Sequence, residues 1–242
     1  YIDVLMYNIL KYKWWLYGEK SSYIWMRGVI MHKSPVENND KQAIIRTIRS
    51  FNPALSDNDA WSIYINALVD ENGVFISRQN DDDSKSKWIE RLNSSGGLNT
   101  TVLEFSNKFI MEHLNVCYYK KLVDYIHSLR KKCKIGIFSD LIFCCLPILD
   151  KQVDLDKFDY IWLSFLTHFR KNDELAFEIV ENDLEILPEN ILFIDDTSIN
   201  IENAKNRGWN TCQAFGYEFY KIKNSIDRFL IIDLEEQKVR KK

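Results

Sequence analysis

Glycine and proline are scarce, with 8 and 4 among 242 residues. That composition excludes a collagen-like chain and a Pro/Gly-rich disordered one. The five cysteines are an odd number, and none forms a CxxC pair. A disulfide framework and a thiolate zinc site are therefore not expected. Cys144 and Cys145 sit in the apolar run LIFCCLPIL and read as buried free thiols of a reducing compartment. The four histidines, His32, His113, His127 and His168, are dispersed without metal-ligand spacing. A large charge of either sign is also missing: 32 basic against 35 acidic residues leave a net −3. Nothing in that balance calls for nucleic acid or an anionic membrane as partner. The basic end, residues 238–242, reads as a solvated tail. No apolar run approaches the ~18 residues of a membrane helix, and no secretory signal is visible. A cytoplasmic protein is expected. The sequence begins at Tyr1 rather than Met, which leaves room for a trimmed leader.

What is present is core-forming material. Apolar residues make up 46% of the chain and aromatics 14%, with seven Trp. A full hydrophobic core is therefore within reach. Three short, continuously apolar runs each stop at a polar residue: VLMY (4–7), KIGIF (134–138) and ILFI (191–194). Strands covered on both faces look like this. YIWLS (160–164) is a fourth candidate and NTCQAF (210–215) a fifth. Between them lie helical patterns. Residues 118–132 carry Leu122, Tyr125, Ile126 and Leu129 on one face, and residues 173–182 carry Leu175, Ala176, Ile179 and Val180. Residues 198–207 run into Gly208, a helix stop. This alternation predicts an α/β fold, a Rossmann-like doubly wound parallel sheet.

Residues 29–114 differ. They read as helices (KQAIIRTIRSF, NDAWSIYINALV, SKWIERL, TVLEFSNKFIMEHL) separated by polar loops at 79–83 and 93–100. The acidic run 81–83 is expected to be a solvated loop. An all-helical block after the first strand predicts an inserted cap, which leaves 1–28 and 115–242 as the core. KWWLY (13–17) and YIWM (23–26) flank GEKSS and predict a β-hairpin.

Ligands of open α/β sheets bind at the carboxyl ends of the strands. Those ends carry Asn8, Ser139, Asp140, Asp195 and Asp196, with Lys171 ahead of the helix at 173. Adjacent carboxylates raise each other's pKa unless a cation stands by, and Mg²⁺ suits such hard oxygen donors. Ser139 and Lys171 are candidates to hold a phosphate, Asp195 and Asp196 to hold the metal, and Asn200 to orient a carboxylate. Asp140 reads as a cap or loop residue.

KIGIFSDL, FDYIWLSFLTHFRKNDELAFEIV and LPENILFIDDTSINIENAKNRGWNTCQAFG follow one another with Ser139, Lys171, Asp195, Asp196, Asn200, Ala204 and Gly208 in order. Here the chain resembles the haloacid dehalogenase-like superfamily, in particular the branch with a helical cap after the first strand. The resemblance covers residues 118–215 well and the earlier part by layout only. It implies a Mg²⁺-dependent hydrolase, a phosphatase of a small phosphorylated metabolite. The family ends its first strand with DxDx(T/V), the two Asp serving as nucleophile and acid/base. This chain reads YIDVLMYNIL there. Two alignments stand. One puts Asn8 at the nucleophile and Leu10 at the acid/base position; the other puts Asp3 and Leu5 there. The first removes aspartyl-phosphate chemistry, and the second leaves a nucleophile without its partner. A catalytically silent protein that binds a ligand or a protein partner is therefore the alternative to a phosphatase.

Overall fold

The structure is a computed structural model. It describes residues 23–26, 40–72, 75–76, 81–114 and 118–240. Tyr23–Met26 is β1, a four-residue strand. Four helices follow it: α1 (Asp40–Phe51), α2 (Asp57–Ala67), α3 (Asp82–Gly96) and α4 (Val102–His113). The alternating part comprises α5 (Lys120–Ser128), β2 (Lys134–Ser139), α6 (Leu146–Val153), β3 (Tyr160–Leu163), α7 (Glu174–Leu184), β4 (Ile191–Asp195), α8 (Ser198–Asn206), β5 (Asn210–Gln213) and α9 (Phe219–Arg240).

The strands form one parallel sheet in the order β3-β2-β1-β4-β5. Met26 pairs with Ile137 on one side and Ile194 on the other. The chain fills the sheet in one direction from β1 to β3, then in the other through β4 and β5. The topological switch point therefore lies between β1 and β4, where an open α/β sheet binds its ligand.

This corrects the reading of the amino-terminal part. YIWM is not one arm of a hairpin; it is the central strand, paired in parallel on both edges. The physical reason is that a strand buried on both faces shows no alternation, so YIWM and VLMY look equally good until pairing partners are known. The run at 4–7 and the proposed arm at 13–17 lie outside the described residues. The central place that the first run was expected to take belongs to Tyr23–Met26.

Strand periodicity sorts the core into two layers. Ile135, Ile137, Leu192 and Ile194 join one cluster, with Leu122, Ile126, Ile222 and Ile226. Phe138, Phe193 and Ile191 join the other, with Phe177, Val180, Ala204 and Trp209. The first cluster runs without a break into the helical block. Trp88 of α3 meets Phe143, just after β2, at 5.6 Å edge-on. Helical block and sheet therefore share one core.

Two loop expectations also change. Asp81 to Asp83 are not a loop: Asp81 is the N-cap of α3, accepting a hydrogen bond from the Ser84 backbone N–H, and Asp82 and Asp83 fill its first turn. Carboxylates there face the exposed N–H groups and the positive end of the helix dipole. The helix then runs through Ser94 and Ser95 to Gly96 before Gly97 ends it at φ 59°. Asn93 accounts for the extension. Its side chain clamps the far end of the turn, donating to the Thr100 carbonyl at 2.8 Å and accepting from the Thr100 N–H at 3.0 Å.

A clamp on the α7 side has a pH signature. Arg207 makes two bonds to Glu181, at 2.8 and 2.6 Å, and the Trp209 indole donates to the same carboxylate at 2.9 Å. The Arg207 bonds, more than the indole and against the effect of burial, hold the Glu181 carboxyl below its ordinary value. A depressed folded-state pKa means the stabilisation is complete above the unfolded value, about 4.5. It is lost as pH falls further, through the folded value. Glu181→Gln is expected to lower the urea midpoint by a constant amount at neutral pH. The gap to wild type should narrow below about pH 4.5, an outcome read from paired urea titrations.

Candidate functional site

The carboxyl ends of β2, β3 and β4 bring the central residues together. Lys171 and Asp195 form an ion pair at 2.6 Å, both side chains fully buried. Strand alternation puts Asp195 on the same face as Ile191 and Phe193, and Lys171 enters from the loop after β3. Its ammonium lies 5.0 and 5.2 Å from the ring centres of Phe193 and Phe138. An ammonium at no exposure is tolerated because a carboxylate and two aromatic faces surround it.

Asp195 is fully engaged. Oδ2 receives the Lys171 ammonium, and Oδ1 accepts the Thr197 backbone N–H at 2.8 Å and the Asn200 amide at 3.1 Å. Its own carbonyl accepts Ala214 N–H at 3.0 Å. The carboxylate therefore locks the end of β4 to the start of α8 and to the β3 loop. Asp196 follows it, almost buried, with Thr197 Oγ1 donating to Oδ1 at 3.3 Å. Of the two residues expected at a metal, Asp195 has both oxygens committed to the protein. Among the described residues, no three His, Cys, Asp or Glu side chains converge as a metal site.

Asp140 accepts the Lys171 backbone N–H at 3.0 Å. Lys171 is thus held at both ends, its backbone by β2 and its ammonium by β4. Asn203 adds a bond to the Lys171 carbonyl at 3.2 Å. Asp140, read from the sequence as a cap or loop residue, thus supports the site; Asn203, which the sequence reading did not single out, sits one turn after Asn200 in α8, a spacing that could have pointed to it.

Ser139 ends β2 on the opposite face from Asp195, by strand alternation. It is buried. Asn8 and Asp3 lie outside the described residues, as do Leu5 and Leu10. The Asn8 and Leu10 roles rested on a first strand at 4–7, and the Asp3 and Leu5 roles on a strand before Asp3. The central strand instead ends at Met26, and the sequence continues Arg27-Gly28-Val29-Ile30, the next acidic residue being Glu37.

No protein-family model matches the sequence, and no curated protein matches it significantly. The fold does match solved structures. A haloacid dehalogenase (HAD) family enzyme of Bacteroides thetaiotaomicron superposes with a TM-score of 0.61 at 17% identity, covering 83% of this chain and 95% of that one. The same enzyme was also solved with magnesium and inorganic phosphate. A predicted HAD-like hydrolase of Porphyromonas gingivalis matches with a TM-score of 0.58 at 21% identity, over 80% of this chain and 90% of that one. L-2-haloacid dehalogenase of Xanthobacter autotrophicus, with chloropropionic acid covalently bound, matches at 0.54 and 16% identity, over 79% and 76%. The chain has the haloacid dehalogenase-like fold: a parallel α/β core with a helical cap region between its first two core strands. No helix among the described residues is long and apolar enough to cross a membrane.

Proposed function

We propose that this protein is a HAD-fold ligand-binding protein that takes a phosphorylated small molecule at the carboxyl end of its sheet without transferring the phosphoryl group. One observation carries the reading. The central strand, at the switch point, ends at Met26, and no carboxylate follows it in the sequence before Glu37. Aspartyl-phosphate chemistry needs a carboxylate nucleophile at that strand end. Arg27 and Val29 cannot serve as nucleophile and acid/base.

Support for retained binding comes from the buried polar groups. Ser139, buried at the end of β2, carries a hydroxyl that would donate to a phosphate oxygen there. Asp196, next to the Lys171–Asp195 pair, is the carboxylate that would face a bound cation. The donors fit Mg²⁺ only sparingly. Asp196 would hold it, because Asp195 is spent on Lys171, and a Mg²⁺ on one carboxylate completes its shell with water and ligand phosphate. When bound it would neutralise phosphate charge. Asp195, Lys171 and Asn200 would keep the strand end rigid around it. The cap insert would span 29–114, and a phosphate ester would enter between it and the sheet.

The second reading is a Mg²⁺-dependent phosphatase. Its specific support is the Lys171–Asp195–Asn200 arrangement, together with the magnesium and phosphate of the Bacteroides enzyme. Calorimetry with methylphosphonate and Mg²⁺, run beside a phosphomonoester hydrolysis panel, separates the two. We expect saturable binding weakened about tenfold by Ser139→Ala, the loss of one hydrogen bond to a charged group, and no hydrolysis above the blank. Hydrolysis that Asp196→Asn abolishes would overturn the non-catalytic reading.

A further inference from the structure

Arg170, the residue before Lys171, stands apart among the described arginines. Four other arginines each reach a carboxylate: Arg46 to Glu112, Arg49 to Asp57, Arg91 to Glu71 and Arg207 to Glu181. Arg130 and Arg228 are exposed. Arg170 is half-buried and pairs with no carboxylate among the described residues, and its Nε is shut off from solvent without an acceptor. A half-buried guanidinium with an unfilled donor is costly unless something absent from the protein completes it.

Its position indicates what that is. Arg170 lies in the loop that leaves the carboxyl end of β3, and this loop delivers Lys171 to Asp195. His168 turns the chain there at φ 64°. The Arg170 backbone N–H is fixed by Asp173 Oδ2 at 2.9 Å. The guanidinium lies over the ring of Phe75 of the helical region, Cζ 3.7 Å from the ring centre. Such a contact holds the cation by its ring face, while its N–H groups remain donors for an oxyanion.

We propose that Arg170 is a specificity-determining residue at the seam between cap region and sheet, binding a second anionic group of the ligand, a carboxylate or a second phosphate. This rests on the binding reading above. The ligand would present its phosphate to the strand ends and its other anion to the Arg170 fork. Phe75 holds the fork in place, and a planar guanidinium is suited to either oxyanion.

The test is calorimetry on the full chain with Mg²⁺ and three probes: methylphosphonate, phosphonoacetate and pyrophosphate. Arg170→Met is expected to weaken phosphonoacetate, pyrophosphate or both by about tenfold while leaving methylphosphonate within about twofold. The probe that suffers identifies the second group as carboxylate or phosphate. Arg170→Lys keeps the charge but not the fork and should show a smaller loss confined to the same probes; it carries the test if the Met variant fails to fold. If methylphosphonate binding still depends on Ser139 but Arg170→Met changes none of the three, the Arg170 role alone is overturned. An equal loss on all three overturns it as well. If wild type binds none of them, the binding reading itself falls, and the Arg170 role with it.

Discussion

Lys171→Met is expected to destabilise the protein by about 3–5 kcal/mol, the usual consequence of leaving a buried charge without its partner. Asp195 has no exposure, so water cannot replace the ammonium. Its remaining bonds, from Thr197 N–H and Asn200, are neutral donors to one oxygen. A typical domain is stable by about 5–15 kcal/mol, so this single change would consume much of the margin. The double change Lys171→Met, Asp195→Asn should recover most of the loss. The amide keeps the acceptor that Thr197 needs, the charge is gone, and methionine fits between Phe138 and Phe193. Urea midpoints of wild type, single and double variants measure this directly. A single variant as stable as wild type would mean that the pair is not buried as described.

Trp88→Ala should be comparably damaging, about 3–5 kcal/mol for a fully enclosed Trp. Trp88 is 0% exposed, and Tyr64, Phe105 and Phe143 surround it at 6.4, 5.2 and 5.6 Å, all edge-on. Two of these belong to the helical region and one to the sheet side, so the cavity would open across the junction. Its indole N–H has no acceptor, so Trp88→Phe should be much milder, since it removes an unsatisfied donor along with part of the packing. Because both regions share one core cluster, thermal unfolding should remain a single transition in wild type. Two separated transitions would contradict a shared core.

Sequence pattern alone located β2 to β5 to within a residue or two: β2, β3 and β4 are compact apolar runs closed by a polar residue, and β5 was found as the weaker run after Gly208. It missed β1. YIWM and VLMY are interchangeable by hydrophobicity, and only registry with Lys134–Ile137 and Ile191–Ile194 distinguishes a central strand from a neighbour. The error mattered, because the strand's end defines where a nucleophile must stand. At the site, the order Ser139, Lys171, Asp195, Asp196, Asn200 could be read along the chain. The way Asp195 spends both oxygens could not, because it depends on a turn at Thr197 and on a lysine from another loop. Arg170 on Phe75 was equally hidden. The contact joins segments far apart in sequence, and neither residue has a distinctive local pattern.

The proposed function is that the protein binds a phosphate without accepting the phosphoryl group, no carboxylate following the central strand before Glu37. The most direct measurement is a single-turnover assay, with protein in molar excess over an activated phosphomonoester such as p-nitrophenyl phosphate, in Mg²⁺, quenched over hours. The account predicts p-nitrophenol release no faster than the blank and no acid-stable phosphoprotein, with the substrate bound throughout. A burst of p-nitrophenol with phosphate attached to an aspartate of the chain would contradict it.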